Sequence, residues 1–172
     1  MDDRKEIIVA KSIAFTLFSL NVKEKNGDNR GEIVEELLRQ AGGAPKMPWC
    51  VATANFIYLT TCKLLGITPL LKPGLSSSNF INRAKNMTLP NGKSRVIDPD
   101  LEPNRIKEVT DGCFVVYEGE AYGTGYVHTG FVWTPIDDKG NYETIEGNKN
   151  NTVAKVKRNL KKSPCKFIKL FD

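Results

Sequence analysis

The sequence contains one set of residues that together could activate a nucleophile. It has a single histidine, His128, so any imidazole chemistry must use that residue. Among its four cysteines, Cys50 stands at the predicted first turn of a helix. Unpaired N–H groups and the positive end of the helix dipole favour a thiolate at such a position. Cys50 and His128 are therefore the candidate nucleophile and base, although each taken alone also fits a structural role, a buried thiol beside Trp49 or a strand histidine.

Two polar residues of a later strand could hold the imidazole in place. In a strand, Glu146 and Asn148 point to the same face, and a hairpin through residues 137–141 returns this strand to the one that carries His128. Gly147 between them allows a close backbone approach. We favour Glu146 as the direct partner and Asn148 as a supporting group, but the spacing leaves both assignments open. Each also fits the polar end of a strand before a turn.

Helices must position the cysteine. Residues 6–20 are apolar on nearly all sides and predict a buried or packed helix, although their β-branched and aromatic content leaves a strand open. Residues 33–41 have the spacing of an amphipathic helix that ends at Gly42-Gly43. Pro48 separates it from the next helix, which we expect from Cys50 to a cap at Gly66. Residues 76–87 predict a short helix with a serine or asparagine cap.

Strands must position the imidazole and its partner. After residue 112 the segments become short and β-rich, at 113–117, 126–134, 142–146, 152–157 and 166–171. Helices first and strands second predict an α+β fold, with N-terminal helices packed on a C-terminal antiparallel sheet. Residues 88–103 are rich in Pro, Gly and Asp, and we expect a connector or one rim of a substrate groove there. Residues 118–122 would form the opposite rim.

Length and charge limit the function classes. With 172 residues the chain fits one compact domain, and its longest apolar stretch is too short and too interrupted to cross a bilayer. Residues 151–172 carry a net charge of +6, and residues 1–150 carry −1. This basic stretch fits either a polyanion-binding surface or a strand edge protected by lysines. The N-terminus, Met-Asp-Asp-Arg-Lys-Glu, does not resemble a secretory signal, and the scattered cysteines fit a reducing cytoplasm.

The combined pattern resembles the CHAP family, the cysteine, histidine-dependent amidohydrolases/peptidases. The likeness covers roughly residues 31 to 171. The matching segments are Pro48-Trp49-Cys50-Val51-Ala52, Asp111-Gly112-Cys113-Phe114-Val115, His128-Thr129-Gly130-Phe131-Val132 and Thr144-Ile145-Glu146-Gly147-Asn148. The resemblance implies a papain-like fold, with residues 31–172 as the catalytic domain and residues 1–30 as an N-terminal extension packed on it.

The resemblance also implies an activity. Cys50 would attack an amide carbonyl of peptidoglycan, His128 would move the proton, and Glu146 or Asn148 would orient the ring, with Trp49 and Tyr126 contacting the substrate. The bond would be either the N-acetylmuramoyl-L-alanine amide or a peptide bond of the stem or cross-bridge. No cofactor is expected, and no metal either, because residues 42–49 lack the acidic calcium loop of some family members.

The same resemblance suggests where the chain acts. We expect a monomer that is made in the cytoplasm and reaches the bacterial cell wall after lysis, as a phage endolysin does, or after delivery by a secretion system. Two other functions remain open from the sequence. One is a protein-directed cysteine protease or deamidase effector, and the other is a non-enzymatic protein whose basic stretch binds a polyanion; nucleic acid is not the expected partner.

Overall fold

The structure, a computed structural model, describes residues 4–119 and 125–171. Within these residues the chain forms four α-helices followed by a six-stranded antiparallel sheet, which confirms the predicted α+β class. The helices are α1 (Lys5–Ser19), α2 (Glu32–Gln40), α3 (Cys50–Leu65) and α4 (Ser77–Lys85). The strands are β1 (Val96–Ile97), β2 (Phe114–Glu118), β3 (Tyr126–Val132), β4 (Asn141–Lys149), β5 (Thr152–Asn159) and β6 (Cys165–Ile168). None of the helices in the described ranges is long and apolar enough to cross a membrane.

The ends of the helices follow from local sequence. Helix α3 begins at Cys50, directly after Pro48-Trp49, and ends at Gly66, whose φ of 66° is the left-handed conformation that glycine adopts at low cost. Helix α4 begins at a serine cap, because the Ser76 hydroxyl accepts a hydrogen bond from the Asn79 amide. These ends confirm the predicted positions of both helices.

The strands lie in the order β1-β6-β2-β3-β4-β5, so β3, which carries His128, lies beside β4, which carries Glu146. Both faces of the sheet are covered. One face packs against the helices through Phe114, Phe131 and Ile145. The other face holds a smaller apolar cluster around Tyr117, which is opposite His128 in the β2–β3 register. The predicted alternation along the strands thus puts His128 on the face turned away from the helices.

Helix α1 is present, and of the two expected arrangements, a buried or a packed helix, it adopts the packed one. Ala10, Ala14 and Leu17 face the core, whereas Ile8 and Phe15 are 53% and 52% exposed. Apolar residues all round a helix do not distinguish a buried helix from one that shows an apolar face to solvent.

Two further features concern the second half of the chain. The loop expected at 88–103 contains β1, a two-residue strand that pairs with β6 and is too short to produce a periodic signal. The basic stretch lies partly on β5, an edge strand, where Lys155 pairs with Glu143 and Arg158 pairs with Glu146. Part of its charge is therefore neutralised within the sheet.

Candidate active site

His128 and Glu146 are hydrogen bonded to each other across β3 and β4. The imidazole Nε2 lies 2.9 Å from Glu146 Oε2. The His128 side chain is 18% exposed, whereas the Glu146 side chain is fully buried. Gly130, two residues after His128, makes room for this carboxylate, because a Cβ at Gly130 would lie 2.8 Å from Glu146 Cγ. The small residue therefore lets a long acidic side chain fit beneath the histidine strand.

Besides His128, four donor groups surround the Glu146 carboxylate. Arg158 donates through Nε to Oε1 at 2.8 Å and through Nη2 to Oε2 at 2.5 Å. The hydroxyls of Tyr117 and Thr144 donate to Oε1 at 3.0 and 2.6 Å. Burial alone would raise the pKa of Glu146, but the hydrogen bonds with His128 and Arg158 outweigh it and lower the pKa to about 2. Glu146 is therefore an anion at neutral pH and can act as the counter-ion of a protonated His128.

Arg158 and Tyr117 belong to this site, although no local sequence pattern indicates either residue. The Arg158 guanidinium lies 4.3 Å from the centre of the Tyr117 ring, and this ring stacks on the His128 imidazole at a centroid distance of 5.9 Å. Arg158 is opposite Tyr142 in the β4–β5 register, which puts it on the same face as Glu146. The sequence shows Arg158 only as one cation of the basic stretch, because the register of that hairpin is what brings it to Glu146.

Cys50 approaches the imidazole from the start of α3. Glu146 occupies Nε2 of the imidazole, so Nδ1 is the ring nitrogen that remains for the sulfur of Cys50, and the interaction with this thiol raises the pKa of His128. Burial alone would lower the pKa of His128. The interactions with Cys50 and Glu146 outweigh burial and raise this pKa from 6.5 to about 9.

Strands β3 and β4 separate near the start of α3. Strands β3 and β4 are paired only at Phe131–Ile145 and Val132–Thr144, so they are not paired at the level of His128. There β4 lies against the first turn of α3, since a Cβ on Gly147 would be 2.0 Å from Thr53 Oγ1. The predicted close approach at Gly147 is thus an approach to the helix that begins with Cys50.

Asn148 does not share the position of Glu146. The β4–β5 register shifts between Glu146 and Lys149, and Asn148 has a φ of 57°, so the strand alternation that predicted a common face is interrupted by a bulge. The Asn148 side chain donates to Asn29 Oδ1 at 3.1 Å. The expectation of a shared face was therefore wrong, and the observed partner of His128 Nε2 is Glu146.

The two residues expected to contact a substrate differ in accessibility. Trp49 is fully buried, and its indole N–H donates to Glu24 Oε1 at 2.8 Å. A side chain in that position packs inside the protein, so the expected substrate contact of Trp49 does not fit the structure. Tyr126 is half-buried at the start of β3 and lies beside Lys85, whose amine is 5.8 Å from its ring centre.

A cleft of about 440 Å³ adjoins the exposed edge of the imidazole. It is lined by Tyr117, Glu118, Val127, His128, Asn148, Lys149, Asn150, Arg158, Lys162, Ser163 and Pro164. No residue of the 88–103 loop lines this cleft. Of the other expected rim, Glu118 does line it, while residues 120–122 lie outside the described residues.

The described side chains contain no group of three or more His, Cys, Asp or Glu residues arranged to hold a metal ion. The chemistry that the arrangement can support is that of an acid–base pair. A thiol at the start of α3, the imidazole, and a buried carboxylate hydrogen bonded to that imidazole are the groups of a nucleophile, its base and an orienting residue.

Comparisons with known proteins leave the family open. No protein-family model matches the chain, and no curated protein is significantly similar to it in sequence. A solved structure described as a wild type endolysin, LysIME-EF1, is similar with a TM-score of 0.48 and 10% sequence identity. The similarity covers 95% of this chain and 65% of that chain, so this chain spans less than two thirds of that protein. At that TM-score and identity the likeness carries no argument about activity.

Proposed function

We propose that this chain is a cysteine amidohydrolase that cleaves peptidoglycan, with a papain-like arrangement of the CHAP type. The observation that supports it most is the position of the only imidazole in the sequence, between the Cys50 thiol and the buried Glu146 carboxylate. Cys50 is the nucleophile, His128 is the general acid and base, and Glu146 is the orienting group. Asn148 is a supporting group at the cleft.

The reaction proceeds through a thioester. The Cys50 thiolate attacks the carbonyl carbon of an amide, and the C–N bond breaks as protonated His128 donates its Nδ1 proton to the leaving amine. Water then attacks the thioester while neutral His128 accepts one of its protons. The C–S bond breaks, the carboxylic acid leaves, and the thiolate and imidazolium are restored.

Backbone amides at the start of α3 would bind the oxyanion. Among the described residues, α3 has no side-chain cap, since its N-cap position is Trp49, so the first amides of the helix, including that of Cys50, are available to a ligand. A donor of this kind is typically worth about 3 kcal/mol in the transition state. Because α3 begins at Cys50, the nucleophile and the oxyanion donors belong to the same turn.

The proposed substrate rests on the CHAP-like sequence pattern and on the open cleft beside His128. Tyr126, Lys149 and Lys162 are the residues that we expect to contact the wall polymer. The scissile bond is either the amide between muramic acid and L-alanine or a peptide bond in the stem or cross-bridge. The chain would be made in the cytoplasm and would reach the wall after lysis or delivery.

The test is a digest of purified peptidoglycan analysed by mass spectrometry, with the Cys50→Ala variant as the matched control. We expect soluble fragments that each gain the mass of one water, with new amino groups at a single type of bond. Casein is digested in parallel, because fragments from casein but not from peptidoglycan would indicate a protein-directed protease instead. A peptidoglycan digest identical to that of Cys50→Ala would refute the proposed function.

A further inference from the structure

A buried carboxylate outside the catalytic trio is hydrogen bonded to the residue that precedes the nucleophile. Glu24 is 9% exposed, and both of its oxygens accept hydrogen bonds. Oε1 accepts from the indole of Trp49 at 2.8 Å, and Oε2 accepts from the backbone amide of Asn29 at 2.9 Å. Trp49 is the residue immediately before Cys50. The carboxylate thus fixes the side chain of Trp49, the N-cap residue of α3.

The segment around Glu24 is also attached to the β4–β5 hairpin. The Glu24 amide donates to Asn151 O at 2.8 Å, and the Val153 amide donates to Val22 O at 2.8 Å. The Thr152 hydroxyl also donates to Val22 O, at 2.9 Å. Residues 22–31, which we call the N-terminal clamp, therefore contact the hairpin that carries Glu146 and the segment that leads into Cys50.

Asn29 completes this connection. Its carbonyl accepts from the Lys46 amide at 3.3 Å, and its side-chain amide donates to Lys46 O at 3.3 Å. Its Oδ1 accepts from Asn148, two residues after Glu146. One side chain thus joins the loop before Cys50 to the bulge after Glu146.

We propose that the N-terminal clamp holds Cys50 in register with His128 and Glu146, and that Glu24 is a positioning residue acting through Trp49. The inference rests on the proposed function. Burying the Glu24 carboxylate costs desolvation energy. In return, the two N–H groups that donate to it fix the orientation of its side chain and of Trp49, which apolar packing alone would leave free. Displacing a reacting group by about 1 Å can cost about 100-fold in rate. Residues 22–31 are then part of the catalytic unit rather than a dispensable extension.

The test measures the reactivity of Cys50 without any substrate. Iodoacetamide alkylates the thiolate, so the alkylation rate at pH 6, followed by mass spectrometry, reports how well the imidazole faces the sulfur. Glu24→Gln keeps the shape but replaces one acceptor oxygen by an NH₂ group, so either Trp49 or Asn29 loses its acceptor. We expect a rate at pH 6 about tenfold lower than in the wild type, with a smaller difference at pH 9.

Two variants make the test specific. Glu36→Gln is the matched control, since Glu36 is exposed and its partners, Arg39 and Gln40, lie on its own helix. Its rate should equal that of the wild type. In Trp49→Phe the indole donor is absent, so adding Glu24→Gln to it should cause little further loss if Glu24 acts through Trp49. If Glu24→Gln does not fold, Asn29→Gly is used in its place. Glycine readily adopts the φ of 57° found at Asn29, and the substitution removes the side-chain hydrogen bonds to Asn148 and Lys46.

The outcomes separate this inference from the proposed function. A Glu24→Gln variant that melts at a lower temperature but is alkylated like the wild type at every pH overturns the inference and leaves the catalytic trio standing. A wild-type rate at pH 6 no higher than that of His128→Ala contradicts the Cys50–His128 pair, and with it the inference. A failure to digest peptidoglycan refutes the proposed substrate and does not affect this assay.

Discussion

Replacing Gly147 by alanine tests whether the contact between β4 and the start of α3 sets the catalytic distance. The added Cβ would lie 2.0 Å from Thr53 Oγ1 and 2.6 Å from Thr53 Cβ. Thr53 is buried, and its hydroxyl donates to Trp49 O at 3.0 Å, so its side chain cannot rotate away without losing that bond. Since Cβ contacts below about 3 Å essentially never occur, β4 has to retreat by about 1 Å, and Glu146 moves with it.

We expect Gly147→Ala to lower kcat/KM about 100-fold and the free energy of unfolding by about 1–3 kcal/mol. Hydrolysis of peptidoglycan fragments and urea unfolding measure the two effects. Gly74→Ala is the matched control, because its Cβ would meet only Arg83 Nη1, at an ordinary 3.7 Å. Adding Thr53→Gly, which removes the obstructing side chain, should restore much of the activity. Full activity of Gly147→Ala at wild-type stability would refute the reasoning.

Three further predictions concern the charges of the site. Arg158→Met should lower the free energy of unfolding by about 3 kcal/mol in urea titrations, because it leaves the buried Glu146 carboxylate without its arginine; unchanged stability would contradict the buried pair. The pKa of Glu146 is lowered from 4.5 to about 2, so its contribution to stability is complete above pH 4.5 and is lost as the pH falls through about 2. Between pH 5 and pH 2 the wild type should therefore lose about 3 kcal/mol more unfolding free energy than Glu146→Gln, and parallel curves would argue against the shift. Lys149 and Lys162 line the cleft without an acidic partner among the described residues. Replacing both with Gln should therefore raise KM about fivefold for an anionic substrate at unchanged kcat. Lys157 does not line the cleft, so Lys157→Gln should leave KM unchanged.

The fold could be predicted from the sequence where the signals are local. Pro48 and Gly66 limit α3, and alternating apolar residues identify the strands, so the approach of His128 and Glu146 follows from a hairpin between neighbouring strands. The ends of α3 depend on residues a few positions apart, and His128 and Glu146, 18 positions apart, are brought together by a single hairpin. The papain-like arrangement and the catalytic roles remain proposals.

The remaining features depend on tertiary contacts that local patterns do not encode. Arg158 joins the site through the β4–β5 register, and Asn148 leaves the strand face because of a bulge at a left-handed backbone position. The family resemblance implied a substrate contact for Trp49, but a partner 25 residues earlier, Glu24, accepts its indole N–H inside the protein. Exposure of one side of α1 depends on which face the sheet and α3 cover, and sequence hydrophobicity alone does not specify that face.

The pKa of His128 tests the central claim most directly, and the chain suits the measurement because it has one histidine. Long-range ¹H–¹⁵N NMR of the imidazole during a pH titration gives that pKa without any assignment problem. We predict an imidazolium that persists until a pH of about 9, and a lower pKa in both Cys50→Ser and Glu146→Gln. A pKa near the ordinary 6.5 that neither substitution changes would contradict the account.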